Sequence, residues 1–359
     1  MKIVVIQDYL RMGGTEMQAV SMVAGFQSKG WDAQLLTLRP GGPLLERTER
    51  LGLKVNCLQP FDYKLNWAHP GLHKEIHRIG PDCILLMGRN GNSIGGKIIH
   101  SFPQMKVFGT FRTGRKLPKA YIETLQNCHH IFTNSNWGLD QLNSLDIGSG
   151  KISVIPNGIV HEDIESEDSS YRENARKELG IPSDRVVLIK VAAFRKGKNH
   201  AGLLKQLSKF EGNWELWLVG EGPELQACRR LTDQLELNER VRFLGQQSNL
   251  NKLYHGADIA VLYSTEDSLP NFLVEAQAAG LPVVALDCAG VAETFIDGKT
   301  GCLVDLDNGD DFLGALTRVI EDEPLRARMS QEAQVWAQEQ FCPSARLNDY
   351  ALKIQELVG

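Results

Sequence analysis

Residues 258–287 read DIAVLYSTEDSLPNFLVEAQAAGLPVVALD. DIAVLYS is a short apolar run and reads as a strand. STEDSLP is a polar loop, NFLVEAQAAG reads as a helix stopped by Gly280, and PVVALD is the next strand. The strands are apolar at successive rather than alternate positions, as strands covered on both faces are. Strand, loop, helix and strand in this order form one crossover of a parallel α/β sheet. The loop carries Glu266 and Asp267, Pro270 presets φ for a helix entry, and Glu275 follows inside the helix.

The same alternation runs outward in both directions. Upstream in the same half, VVLIKVAAF (186–194), WELWLVG (214–220) and RVRFLG (240–245) read as strands with helical stretches between them. The first half repeats the pattern with KIVVIQ (2–7), DAQLLTL (32–38), KVNCL (54–58), DCILLM (82–87), KVFGTF (106–111), HIFTNS (130–135) and ISVIPN (152–157). Between the halves, residues 161–184 begin acidic and serine-rich, as a linker, and end as a helix. The expected fold is α/β: two tandem doubly wound, Rossmann-like domains facing a cleft, over 1–160 and 185–342. Residues 343–359 form an amphipathic helix with Leu347, Tyr350, Ala351, Ile354 and Leu357 on one face, expected to return to the first domain.

A chain of 359 residues suits two such domains. With 42% hydrophobic and 23% charged residues, the composition is globular rather than disordered. MKIVVIQDYL reads as a buried strand and not as a signal peptide, and no apolar run reaches the length of a membrane span. Seven cysteines without a CxxC pair argue against a disulfide framework or a zinc site, which favours a reducing cytoplasm.

The net charge of −5 is uneven: residues 1–157 hold 18 Lys+Arg against 11 Asp+Glu, or +7, and the rest hold 21 against 33, or −12. From Cys83 to Ile122 there are seven basic residues and no acid, and RTGRKLPK (112–119) packs four of them. Such a window is either a solvated loop or a site for an anionic partner, a phosphorylated acceptor or an anionic membrane surface. Nucleic acid is not an expected partner, because the total charge is negative and no aromatic-basic recognition module is present.

Asp267 and Glu275 lie eight apart and straddle a helix start, where free N–H groups and the dipole favour phosphate. Carboxylates on either side of a diphosphate can accept hydrogen bonds from sugar and ribose hydroxyls. His69, His73 and His77 share a helical spacing, but Pro70 and Gly71 interrupt it and no metal site is expected. GEGP (220–223) is not a dinucleotide fingerprint, since no third glycine follows, so an NAD enzyme is disfavoured.

The acid pair resembles the D/E-x7-E element of retaining glycosyltransferases of family 4, which have the GT-B fold. GGTE (13–16), TNS (133–135), VIPNGI (154–159), VAAFRKGKNH (191–200), LVGEGPE (218–224) and VRFLG (241–245) resemble further elements of that family in the expected order. The resemblance implies that Arg195 and Lys198 clamp the diphosphate, that Asp267 and Glu275 act with them, and that Glu266 neighbours the donor sugar. It implies donor contacts from Gly13, Gly14, Glu221, Gly222 and the backbone of Phe243 and Leu244. The amides of Asn271, Phe272 and Leu273 are expected at the phosphate.

Arg112 and Arg115 are acceptor-side candidates. Asp267 stands where the family more often has Glu, and Ala193 stands where a basic residue is usual, with Arg195 two residues on. The implied reaction moves a sugar from a nucleotide-diphosphate sugar, UDP-linked by preference, to an acceptor hydroxyl in polysaccharide or glycolipid synthesis. No cofactor and no essential metal are implied. The partners are the donor, a sugar or lipid-linked acceptor and an anionic membrane face. Rival readings are an epimerase or phosphorylase on the same fold and a non-catalytic nucleotide-sugar-binding subunit.

Overall fold

The computed structural model describes residues 1–65, 68–148, 150–159, 169–247 and 249–359. The chain divides into two units, Met1–Val160 with Pro343–Gly359, and His161–Cys342. Most of the acidic, serine-rich linker (161–168) lies outside the described residues.

The first unit is built on a parallel sheet of seven strands: β1 (Lys2–Gln7), β2 (Asp32–Thr37), β3 (Lys54–Cys57), β4 (Cys83–Leu86), β5 (Lys106–Phe111), β6 (His130–Thr133) and β7 (Ile152–Val154). Their spatial order is β3-β2-β1-β4-β5-β6-β7, so the direction of winding reverses between β1 and β4. Both faces of β1 are covered. Val4 and Ile6 pack with Ile84 and Ile98 on one side, and Ile3 and Val5 with Val20, Val23 and Phe26 on the other.

The helix Gly14–Ser28 supplies that second face through Met17, Val20, Val23 and Phe26. It ends where Gly30 takes a left-handed φ of +79°, and Trp31 then folds back to stack on Phe26 at 4.8 Å. The C-terminal helix Pro343–Val358 completes the same core. Tyr350, Ala351 and Ile354 are buried in it, with Leu347 and Leu357 packed at its margin. Leu347 rests on Gly25, where a Cβ would meet its Cδ2 at 2.2 Å.

The second unit has six parallel strands: β8 (Val186–Val191), β9 (Trp214–Val219), β10 (Val241–Gly245), β11 (Ile259–Leu262), β12 (Val283–Asp287) and β13 (Gly301–Asp305). Their order is β10-β9-β8-β11-β12-β13, with the reversal between β8 and β11. The sequence reading did not identify β13 as a strand; its register is Val283 to Gly301 through Asp287 to Asp305.

Ionic ties fasten the amino-terminal edge of this sheet. Asp258, just before β11, accepts from Arg172, from Arg176 at 3.0 Å and from the Val187 amide at 2.7 Å. Arg176 also donates to the carbonyls of Gly256, Pro182 and Arg185, which holds the helix Ser169–Leu179 on the sheet. Glu215, buried on β9, takes Arg185, Arg242 and the Trp217 indole N–H.

Candidate functional site

The carboxyl ends of β8 and β11 flank the point where winding reverses, and ligands of open α/β sheets bind at such points. After β8 the chain makes a tight turn, Lys196–Lys198, ended by Asn199 at a left-handed φ of +47°. Asn199 then caps the helix His200–Leu207 by accepting from the Gly202 amide at 3.1 Å. The loop after β11 hangs on this turn, because the Thr265 amide donates to the Gly197 carbonyl at 2.9 Å. One residue pair then closes the two loops on each other: the Lys198 ammonium donates to the Asp267 carboxylate. Both side chains are mostly covered, 17% and 12% exposed.

Asp267 therefore does not cap the following helix. Pro270 takes the N-cap position of Asn271–Ala278, without a side-chain cap. The Leu273 amide, a phosphate candidate, donates to the Pro270 carbonyl at 3.0 Å. Phe272 and Leu273 bury their side chains, and Asn271 is half-buried at the first helical position. Glu275 is a buried carboxylate, only 7% exposed, rather than a surface helix acid. Tyr254, on the short helix Asn251–Gly256, donates its hydroxyl to Glu275 Oε2 at 2.9 Å. Burial, and then the facing Glu275, push the Tyr254 phenol well above its ordinary range, so it stays a donor.

The remaining second-unit residues line the same strand ends. Arg195 and Glu266 are exposed, and a Cβ on Gly197 would meet Glu266 Oε2 at 2.9 Å. Glu221 is also exposed, while its carbonyl accepts from the Phe194 amide at 2.9 Å. Gly222, at φ +154°, crosses over Phe194 so closely that a Cβ would sit 2.5 Å from the Phe194 carbonyl oxygen. Phe243 is the last residue of β10 before a bulge, and Leu244 is the residue the register skips. The Leu244 carbonyl is taken by the Gln247 side chain at 2.6 Å, and Arg229 lies over the Phe243 ring.

In the first unit, Gly13 and Gly14 open the Gly14–Ser28 helix, Gly13 as its N-cap in extended backbone. Arg115 is exposed. Arg112, an acceptor-side candidate, is held inside the first unit. Its guanidinium donates to Asn157 Oδ1 at 2.6 Å and to the Tyr350 hydroxyl, so it ties β5 to the PNGI segment and the C-terminal helix. The three histidines are not assembled as ligands: His69 meets Lys97, His73 meets Ser101 and His77 packs on Phe102. Among the described residues no group of three or more His, Cys, Asp and Glu could hold a metal ion. None of the described helices is long and apolar enough to cross a membrane.

Three groups escaped the sequence reading. Tyr254 carries no local signal of its partner, because Glu275 lies 21 residues on. Lys190, a charge inside an apolar strand, was a visible signal. At the carboxyl end of β1, buried Asp8 gathers Gln7, Arg11 and Asn90, and Arg11 reaches on to Glu16. Tyr254→Phe should raise the donor KM by about tenfold with little change in kcat, because a hydrogen bond to a carboxylate is lost. Steady-state kinetics check this, and an unchanged KM would mean that other contacts alone orient Glu275.

Comparison with known proteins adds the lineage. The lipopolysaccharide core biosynthesis glycosyltransferase LpsD of Rhizobium meliloti is 32% identical over 176 residues, 49% of this chain and 51% of that protein. The N-acetyl-alpha-D-glucosaminyl L-malate synthase of Bacillus anthracis is 30% identical over 177 residues, 49% of this chain and 46% of that protein. The chain thus spans about half the length of the curated relatives it matches. HepE of Anabaena, solved with UDP and glucose, superimposes with a TM-score of 0.88 at 18% identity, covering 99% of both chains, so the fold is that of the GT-B structures. The model for Glycosyltransferase Family 4 matches residues 12–163 and that for Glycosyl transferases group 1 matches residues 171–336; with one in each half, the chain belongs to the family 4 glycosyltransferases.

Proposed function

We propose that the protein is a retaining glycosyltransferase that moves a sugar from a UDP-linked donor to an acceptor hydroxyl in cell-surface polysaccharide or glycolipid synthesis. The observation that carries this reading is the meeting of Lys198 and Asp267 at the β8/β11 switch point, beside a helix that holds buried Glu275. In the resting site the ammonium and carboxylate neutralise each other. An arriving diphosphate draws Lys198 and Arg195, and Asp267 turns to a hydroxyl of the transferred sugar. Glu275, held by Tyr254, offers its carboxylate to the ribose.

The demanding event is departure of the nucleoside diphosphate from an oxocarbenium-like sugar. Lys198, Arg195 and the positive end of the Asn271–Ala278 helix meet the charge that grows on it. No metal or cofactor is invoked for this work. Burial and the nearby Asp267 carboxylate push the Cys288 thiol up to about 12, which keeps it protonated and argues against it as a nucleophile. Attack by the acceptor on the face the leaving group vacates retains the anomeric configuration, and NMR of the first-formed product reads it directly. An inverted product would overturn this course.

Calorimetric titration with UDP, GDP and ADP, repeated on Lys198→Ala, tests the donor site. Micromolar binding of one nucleotide that the variant loses is the expected result. Binding of none would move the non-catalytic reading into first place. A lipid-linked acceptor fits the exposed Arg115, Lys116 and Lys119, which also suit an anionic membrane face. Flotation with anionic but not neutral liposomes is expected, and failure with both would remove the membrane from the proposal.

A further inference from the structure

Lys190 interrupts the apolar run of β8 and is completely buried. A buried ammonium is expensive unless its hydrogen bonds are well used. Here the Nζ donates to the Lys198 carbonyl at 2.6 Å. That carbonyl ends the Lys196–Lys198 turn, where carbonyls lack partners of their own. The Gly197 carbonyl beside it is held by the Thr265 amide. The turn that aims the Lys198 side chain is therefore pinned from below by one lysine and from the side by the loop that carries Asp267.

We infer that Lys190 is a positioning residue for the donor diphosphate: it fixes the backbone of Lys198 and places a second positive charge beneath the phosphate-binding turn. This rests on the donor-site reading above. The groups that face Lys190 are Lys198 on the turn, Asp267 after β11, Cys288 after β12, Cys228 on the helix Leu225–Gln234 and His200 on the helix after the turn. Burial, and then Lys198, pull the Lys190 ammonium down to about 7. Burial, and then Lys190 and Lys198, pull the His200 imidazole to about 2, and both of its buried ring nitrogens lack a hydrogen-bond partner. His200 thus adds no charge at neutral pH. An amine with a depressed value gains its charge as pH falls through that value, so Lys190 contributes more to holding an anion above it at pH 6 than at pH 8.

The test compares wild type with K190M in two measurements. Hydrogen exchange of the amides of residues 196–199 is read without ligand, and UDP affinity is read by calorimetry from pH 6 to 8.5. The expected result is at least tenfold faster exchange in the turn, about tenfold weaker UDP binding than wild type at pH 6, and a gap between the two that narrows by pH 8.5. A variant that melts earlier but keeps the wild-type turn exchange and UDP curve would overturn the inference, leaving Lys190 a stability residue only. If K190M does not fold, K190Q, which keeps a shorter donor, is compared on the same measurements, and wild-type values in both overturn the inference. Should wild type bind no UDP, GDP or ADP, the donor reading falls and the positioning role falls with it. Unchanged turn exchange in K190M, with normal wild-type binding, sinks the positioning role alone.

Discussion

Lys198→Met should lower kcat/KM for sugar transfer by about 10²–10³-fold while the protein stays folded. In the proposed donor site the ammonium meets the leaving diphosphate, and the turn beneath it does not depend on its side chain. The Lys190, Thr265 and Asn199 contacts all go to the backbone or to the next helix. Methionine keeps the length of the stem and removes only the charge. Asp267 loses its partner, but at 12% exposure it keeps some access to water, so the fold is expected to tolerate the change. Turnover of the UDP-sugar selected by the titration, together with a melting curve, makes the check. A loss below about tenfold would show that Arg195 or the helix end carries the diphosphate without Lys198.

Asp258→Asn should remove about 3 kcal/mol from the stability of the second unit, with catalysis affected only through the amount of folded protein. Asp258 faces two arginines and an amide, and Arg176 beside it is 10% exposed. The amide side chain keeps the shape but leaves Arg176 as a covered charge without its counter-ion. The carbonyls of Gly256, Pro182 and Arg185 still accept from Arg176, so the loss stays below that of a wholly orphaned charge. Urea unfolding followed by tryptophan emission gives the value, since Trp214 and Trp217 lie in this unit's sheet. An unchanged midpoint would mean that the carbonyls alone satisfy the arginine.

The architecture was legible because its signal is repeated. Twelve apolar strand runs separated by helical stretches define two wound sheets, and the structure has those strands with ends shifted by a few residues. GCLVD (301–305) was missed because it is short and follows a turn whose glycines mask its boundary; pairing with β12, not its own pattern, makes it a strand. The amphipathic pattern of 343–359 foretold which face is buried, since a helical stripe can be read locally.

For the candidate site the sequence offered only spacing: the interval of eight singled out Asp267 and Glu275 without any knowledge of their contacts. What stayed hidden depends on partners distant in sequence. Nothing local says that Glu275 is buried against Tyr254, or that Arg112 turns to a tyrosine 238 residues away. Nor does anything local say that the Leu273 amide turns back to the Pro270 carbonyl in a tight first turn.

The helix Pro343–Val358 has a consequence for how the molecule is made. Tyr350, Ala351 and Ile354 fill the core that Val20, Val23 and Phe132 begin. On the ribosome, then, the half that emerges first cannot finish its interior until residues 343–358 have followed it out. The second half is continuous in sequence and has all of its strands much earlier. The order of synthesis and the order of completion are opposite: the first-made half waits, with an apolar groove open, for residues 343–358.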